Sequence, residues 1–394
     1  MIVRRITAGE RRRAEEIFSI AFETPWQEEA YPTEKYAAFT EDGETMTSCL
    51  SVLPFPAFFD GATVKMAGIG GVSSLPQYRR TGGIRGCFEK MLPDLYREGY
   101  VLSMLYPFST NYYRQFGYEV WARGARYELD LSYIPRLPRQ GRFLLADSAN
   151  REKALEDIRM LTGEWERRYN GMVELTEREY AFVTEADPYR KQEFVYLHYN
   201  ARGAPAGYMV CHRERDGQEQ RVVCSRFVFR DREGIEGLLT LAKSMQADHR
   251  SIVFTLPASL RIDPLIDEWS MGAYRRGDTS LGMAHVVNVE AALKAARYRG
   301  SGRLSIEITD GQIAGNKGVF TVCFQDGRAV SVAGNTGDKA LIRMEIPEFS
   351  RFLTGAADVS ALLYSRRASG FSQEDLGLLG QVFYEKPCFL TEYF

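Results

Sequence analysis

Cysteine is scarce in this chain and follows no pattern. The six residues Cys49, Cys87, Cys211, Cys224, Cys323 and Cys388 include no C-x-x-C pair, which excludes a disulfide framework and the common zinc modules. Buried thiols in a reducing cytoplasm are the expectation, and the opening M-I-V-R-R-I-T lacks the apolar run of a signal peptide. Histidine is scarcer still. His198, His212, His249 and His285 are too dispersed to suggest a metal site or a Ser-His-Asp triad, so no metal is expected. No segment approaches the ~18 uninterrupted apolar residues of a membrane span. The formal net charge of −2 lacks the basic excess that nucleic acid would select, and Arg11-Arg12-Arg13 followed by Glu15-Glu16 reads as a solvated helix face. Both glycine-rich nucleotide fingerprints, G-x-x-x-x-G-K-[ST] and G-x-G-x-x-G, are also missing, which demotes ATP and NAD.

What is present begins at Gly70–Gly86, G-G-V-S-S-L-P-Q-Y-R-R-T-G-G-I-R-G. A β-prone run ends at Pro76, which cannot donate to a strand ladder, and an apolar helical pattern starts at Ile84. Between them, Arg79-Arg80-Thr81-Gly82-Gly83 offers a bare backbone where the helix has unsatisfied N–H donors and a partial positive charge. Such a turn, with Arg79, Arg80 and Arg85 beside it, suits a pyrophosphate. Read alone, it is also compatible with a plain turn. Two further features accompany it. Tyr106-Pro107-Phe108-Ser109-Thr110-Asn111-Tyr112-Tyr113-Arg114-Gln115-Phe116-Gly117-Tyr118 is dense in aromatics, and Gly117 suits a helix end at positive φ. The C-terminal run Tyr384–Phe394 is aromatic to its last residue, which predicts a docked end.

Arg79 and Gly82 resemble the R-x-x-G-x-G/A motif A of the GCN5-related N-acetyltransferases (GNAT), with Ile84 departing from the last small residue. Tyr113-Arg114-Gln115-Phe116-Gly117-Tyr118 resembles the Y-x-x-F-G-Y/F element of the same family. Together with the length of 394 residues and the terminal phenylalanine, the chain resembles the enhanced intracellular survival (Eis) acetyltransferases. That resemblance implies acetyl-CoA as cosubstrate, with Arg79, Arg80, Thr81, Gly82, Gly83, Ile84 and Arg85 at its pyrophosphate. It further implies Val72, Ser73 and Ser74 at the thioester and pantetheine arm, flanked by Phe108 and Ser109. Tyr113 would protonate the departing thiolate, and the C-terminal carboxylate of Phe394 would take the amine proton, with Glu392 or a water chain as the alternative base.

The implied fold is α/β: tandem GNAT folds followed by a sterol-carrier-protein-2-like domain. The expected boundaries are 1–135 for the catalytic domain, 136–283 for a second, non-catalytic unit that could wall the substrate cleft, and 284–394 for the sterol-carrier-like domain. The elements fit this order. Helices are predicted over Glu10–Phe22, Ile84–Glu98, Asn150–Arg168 and Arg232–Ala247, and strands at Thr45–Pro54, Thr63–Ser74 and Val101–Tyr106. Further strands are predicted at Phe194–Tyr199, Pro205–Arg213, Arg221–Phe229, Ser251–Leu256 and Gly302–Thr309, and Tyr127–Leu131 is expected to close the first unit. The family resemblance implies a cationic amine substrate such as an aminoglycoside or polyamine; such a substrate favours an acid-lined cleft, for which Glu23, Glu28, Glu29 and Glu392 are the candidates, with Trp26 as an aromatic wall. It also implies a homohexamer. A related acyl transferase acting on cell-wall precursors and a non-enzymatic lipid-binding protein are the competing readings, and CoA binding separates enzyme from lipid binder.

Overall fold

Asp60-Gly61 sets up the first sheet. Both residues take positive φ (50° and 79°), the geometry a tight hairpin needs, and two long strands leave it in opposite directions. The computed structural model describes every residue except 27–32, Gln218 and Met271.

In chain order the first elements are β1 (Ile2–Arg5), α1 (Arg11–Phe22), β2 (Glu34–Phe39), β3 (Met46–Phe59), β4 (Ala62–Ser74), α2 (Gly83–Arg97), β5 (Leu102–Leu105), α3 (Thr110–Arg114) and β6 (Glu119–Val120). There follow β7 (Arg123–Asp130), β8 (Arg142–Leu145), α4 (Arg151–Glu166), α5 (Ala181–Thr184), β9 (Glu193–Tyr199), β10 (Pro205–Asp216), β11 (Glu219–Phe229), α6 (Arg232–Lys243), β12 (Ser251–Pro257) and β13 (Tyr274–Ser280). The chain ends with β14 (Met283–Val286), α7 (Val289–Ala295), β15 (Gly302–Thr309), β16 (Gly318–Gln325), β17 (Arg328–Ala333), β18 (Ile342–Glu345), α8 (Ile346–Leu353), β19 (Ala368–Ser369) and α9 (Leu376–Val382).

The first sheet runs β1-β2-β3-β4-β5-β14-β6, antiparallel from β1 to β4, with a parallel β4–β5 pair joined through α2. The second runs β13-β7-β12-β11-β10-β9-β8 and repeats the plan, since β8 to β11 are antiparallel and α6 joins a parallel β11–β12 pair. A third sheet, β17-β16-β15-β18-β19, follows. By packing, Met1–Ala122, Gly282–Lys386 and Tyr393–Phe394 form one unit, and Arg123–Leu281 with Pro387–Glu392 form the other.

This division differs from the boundaries expected at 135 and 283. Tyr127–Leu131 does not close the first sheet: β7 pairs with β12 and β13, and β14 takes the place beside β5. Each sheet has an open edge of the same kind there, and hydrophobic alternation specifies a strand but not which open edge it fills. β3 also runs on through Pro54 and Pro56 to Phe59. Its pairing with β2 ends at Val52, so beyond that point one edge of β3 needs no N–H donors and tolerates proline. Val359–Tyr364 forms a 3₁₀ segment, and α9, with Gly377 and Gly380 inside it, carried too little helix propensity to be read.

The core of the first sheet lies under α2. Ile84, Cys87, Phe88, Met91, Leu92 and Leu95 recur at helical spacing and pack on Tyr36, Leu50, Val52, Ala67 and Ile69. Burying each large side chain of this kind is worth about 1.5–3 kcal/mol, enough to fix the helix on the sheet. Gly83 and Gly86 allow the approach, since a methyl group on either would stand 2.5 Å from Ser48 Oγ or 2.8 Å from Val3 Cγ2.

Candidate active site

The pairing of β4 with β5 stops at Ile69–Leu105, while β4 continues to Ser74 beside β3. From Gly70 onward, no strand among the described residues covers the edge of β4 that β5 covers lower down. A bulge lies there, because Leu50 of β3 faces two residues, Gly71 and Val72, and Gly71 takes φ 58°. Ser73 is buried and its hydroxyl donates to the Gly71 carbonyl (3.0 Å), while Ser74 and Ser48 share a hydroxyl bond of 2.8 Å. The bulged strand is thus braced on its β3 side and open on the other.

Beyond β4 the chain turns through Pro76–Tyr78 into the Arg79–Arg85 loop. Arg80 takes φ 67° and Gly82 φ 90°, and the Thr81 hydroxyl donates to the Tyr78 carbonyl at 2.7 Å. Gly82 caps α2 without a side-chain bond, and the first bond into the helix is from Gly86 N–H to Gly82 O. The N–H groups of Gly83, Ile84 and Arg85 therefore remain available. Ile84 turns its side chain into the core, so its departure from the small residue of motif A leaves the backbone donor in place. Arg79 and Arg80 are exposed and form no ion pair among the described residues, and Arg85 donates to Gln115 Oε1 (2.8 Å). An anion with several oxygens fits this set of amides and free guanidinium groups. Replacing Arg79 and Arg80 by alanine is expected to weaken binding of a pyrophosphate-bearing ligand about tenfold or more. The difference should shrink in high salt, and calorimetric binding at two ionic strengths checks it.

Ser109 caps α3 by accepting from Tyr112 N–H (3.3 Å), which sets the first turn of the tyrosine element. Phe108 is exposed and lies 5.1 Å from the Tyr112 ring and 5.4 Å from the Tyr113 ring. Tyr113 is buried against Phe88 (6.0 Å), yet its hydroxyl has no hydrogen-bond partner among the described residues. Burial, with smaller contributions from Tyr112 and Tyr393, pushes its pKa well above that of ordinary tyrosine, so the hydroxyl holds its proton at neutral pH. Gly117 takes φ 88°, and a methyl group there would strike the buried His285 ring at 2.5 Å.

The C-terminus docks on β4. A methyl group on Gly68 would stand 2.7 Å from the Phe394 ring, and one on Gly70 would stand 2.6 Å from the terminal carboxyl carbon and 2.8 Å from its oxygen. The Phe394 ring lies 5.6 Å from Phe55 and 5.8 Å from Tyr106, and Tyr393 stacks on Tyr106 at 4.4 Å with most of its surface exposed. Among the described residues no cation pairs with the terminal carboxylate and no donor bonds to it.

Among the expected substrate residues, Glu23 is exposed at the left-handed end of α1 (φ 54°), and Trp26 is exposed with the Arg12 guanidinium 5.6 Å from its ring centre. Glu28 and Glu29 lie outside the described residues. Glu392 is buried in the second unit, ion-paired with Arg226 at 2.9 Å. Burial, reinforced by the Glu392 charge, pushes the neighbouring Glu166 up to about 8. Sequence reading overlooked Gly68, Gly70, Phe55 and Tyr106 as the dock of the tail. Gly68-Ile69-Gly70-Gly71 inside a strand was the available signal, because glycine there often marks close approach of another backbone.

The second sheet has the same parting of strands without the same opening. β11 leaves β12 after Val223 and has its own bulge opposite Val210–Cys211, but Phe227 and Phe254 stack at 4.2 Å beyond the parting. At the head of α6, Asp231 already accepts from Gly234 N–H (3.0 Å) and Glu233 adds negative charge, so the helix start repels an anion. A cleft of about 640 Å³ lined by Arg114, Gln115, Gly117, Glu307–Gln312 and Glu345–Pro347 contains no residue of β4 or of the Arg79–Arg85 loop. Among the described residues five cysteines are buried and Cys323 is half-buried, no cluster of three or more potential metal ligands occurs, and no helix is long and apolar enough to cross a membrane.

Residues 3–121 match the acetyltransferase (GNAT) domain, and residues 289–390 match the sterol carrier protein domain. Solved structures resemble the whole chain, among them the following three. A probable N-acyltransferase from Enterococcus faecalis V583 is 22% identical with a TM-score of 0.85, covering 100% of this chain and 99% of its own. A GCN5-related N-acetyltransferase from Anabaena variabilis ATCC 29413 is 18% identical at 0.85, and Eis1 from Mycobacterium abscessus is 18% identical at 0.80, each covering 100% of both chains. Comparison with curated proteins finds no match.

Proposed function

We propose that this chain, a GNAT acetyltransferase with the whole-chain fold of Eis1, moves an acetyl group from acetyl-CoA to a primary amine of a cationic small molecule of the aminoglycoside or polyamine class. The observation that carries this reading is the unpaired Phe394 carboxylate resting against Gly70 on the open edge of β4.

Acetyl-CoA supplies an activated acyl carbon and a thiolate leaving group. Arg79, Arg80 and the amides of Gly83, Ile84 and Arg85 hold the pyrophosphate, with Thr81 and Gly82 shaping the turn, and Phe108 and Ser109 flank the pantetheine arm. Within Val72–Ser74, the amides that face the uncovered edge of the bulged strand pair with that arm and polarise the thioester carbonyl. The Phe394 carboxylate takes one proton from the incoming ammonium, freeing the nitrogen lone pair to attack; Tyr113 donates its proton to the thiolate as the C–S bond breaks, and the second proton that nitrogen sheds on becoming an amide returns to the tyrosinate. Proton count and charge balance with no covalent enzyme intermediate. Glu392 is already engaged by Arg226, which favours Phe394 as the base.

Glu23 and Trp26 receive the cationic substrate in this reading, since an exposed carboxylate and an exposed indole both attract ammonium groups. The second unit is scaffold: Phe227, Phe254 and the acidic start of α6 support that role. A cytoplasmic location and a homohexamer complete the proposal, and exposed Val330, Leu363 and Tyr364 support self-assembly. Thiol release from acetyl-CoA, followed with neomycin, kanamycin and spermidine, tests it. Release that depends on the amine is expected, and acetyl-CoA binding without amine-dependent release would reduce the protein to a binding module.

A further inference from the structure

Lys386 is charged, buried and outside the chemistry described above. Its side chain is 2% exposed and its ammonium pairs with Asp60, itself 5% exposed, at 2.5 Å. The same ammonium donates to the carbonyls of Leu353 (3.0 Å) and Arg297 (3.5 Å) and sits 4.9 Å and 5.5 Å from the ring centres of Tyr384 and Phe59. Asp60 Oδ2 also accepts from Arg297 N–H (2.6 Å). The backbone is shaped to admit this lysine: its N–H donates to the Gly355 carbonyl (3.0 Å), and a methyl group on Gly355, at φ 88°, would stand 2.3 Å from Lys386 Cβ.

A buried ion pair adds little net stability over apolar residues of the same volume, and its best-attested use is to fix one arrangement among several. Asp60 and Lys386 are well placed for that use. Asp60 is in the turn of the hairpin whose second strand carries Gly68 and Gly70, and Lys386 is the root of the tail, eight residues before Phe394. Together they tie the start of the tail to the strand on which the tail ends.

We propose that Lys386 and Asp60 are positioning residues that set where the Phe394 carboxylate comes to rest on β4. The inference rests on the reading of that carboxylate as the base. A displacement of the base by an ångström is the kind of error that costs up to ~10²-fold in rate while leaving cosubstrate binding intact.

The test uses the full chain carrying Lys386→Met with Asp60→Asn, which removes both charges together and leaves neither unpaired. The expected result is a kcat lower by about 10- to 100-fold, an unchanged KM for acetyl-CoA, and partial rescue by added formate that the unaltered protein does not show. If the double variant does not fold, Lys386→Arg and Asp60→Glu, which keep the charges and change the reach, should give the same pattern. Full turnover in the folded variants, or a loss that formate leaves untouched while the KM for acetyl-CoA rises in step, overturns the proposal. A chain with its C-terminal carboxylate converted to an amide separates the two levels. If that chain keeps its turnover, the base assignment has failed, whereas if it alone is impaired, only the positioning role has failed.

Discussion

Converting the Phe394 carboxylate to an amide, or extending the chain past it by two or three residues, is expected to lower kcat by about 10²- to 10⁴-fold, the range typical for loss of a positioned base. Acetyl-CoA affinity should be kept, because the Arg79–Arg85 loop is separate from the tail's dock. The amide is the sharper variant. It is nearly isosteric and leaves the Phe394 ring against Gly68, Phe55 and Tyr106, so what disappears is the proton acceptor. Extension adds a steric effect, since the slot beside Gly70 is too narrow even for a methyl group on that glycine. Stopped-flow thiol release and calorimetric binding of acetyl-CoA check both. Unchanged turnover in the amide would assign the proton to another group.

Tyr113→Phe is expected to lower kcat by a comparable factor without destabilising the fold. The ring packs on Phe88, Phe108 and Tyr112, and phenylalanine keeps those contacts, while the hydroxyl has no partner among the described residues to leave behind. Its raised pKa gives the sign of the pH dependence: the proton-donating form is present throughout the neutral range and is lost only at strongly alkaline pH. The same substitution at Tyr118 should act differently. That hydroxyl is buried and bonded to Ser103 at 2.6 Å, so Tyr118→Phe should cost stability more than rate. Thermal denaturation alongside kcat separates the two cases, and equal loss of rate in both would deny Tyr113 a special role.

The local features of the fold were legible because each has a local cause. The Asp60-Gly61 turn, the proline that closes β4 and the apolar stripe of α2 are read from residue types a few positions apart. The exchange of β7 and β14 between equivalent sheet edges was not legible, since alternation is the same whichever sheet receives the strand. The candidate site shows the same contrast. The loop and the tyrosine element are contiguous motifs, whereas the tail's dock joins Gly68 and Gly70 to residue 394. Glu392 illustrates the reverse hazard: an acid two residues from the terminus suggested a place in the site, and the fold engages it with Arg226, far away in sequence.

The most direct measurement of the central claim is the mass of the amine after incubation with acetyl-CoA and the intact chain, with neomycin as acceptor. The account predicts acetylated neomycin with one free CoA for each acetyl group transferred, and at least about 10²-fold less of both in the same time when the Phe394 carboxylate is an amide. Free CoA without acetylated amine, or neither product from the intact chain in the presence of bound acetyl-CoA, would contradict it.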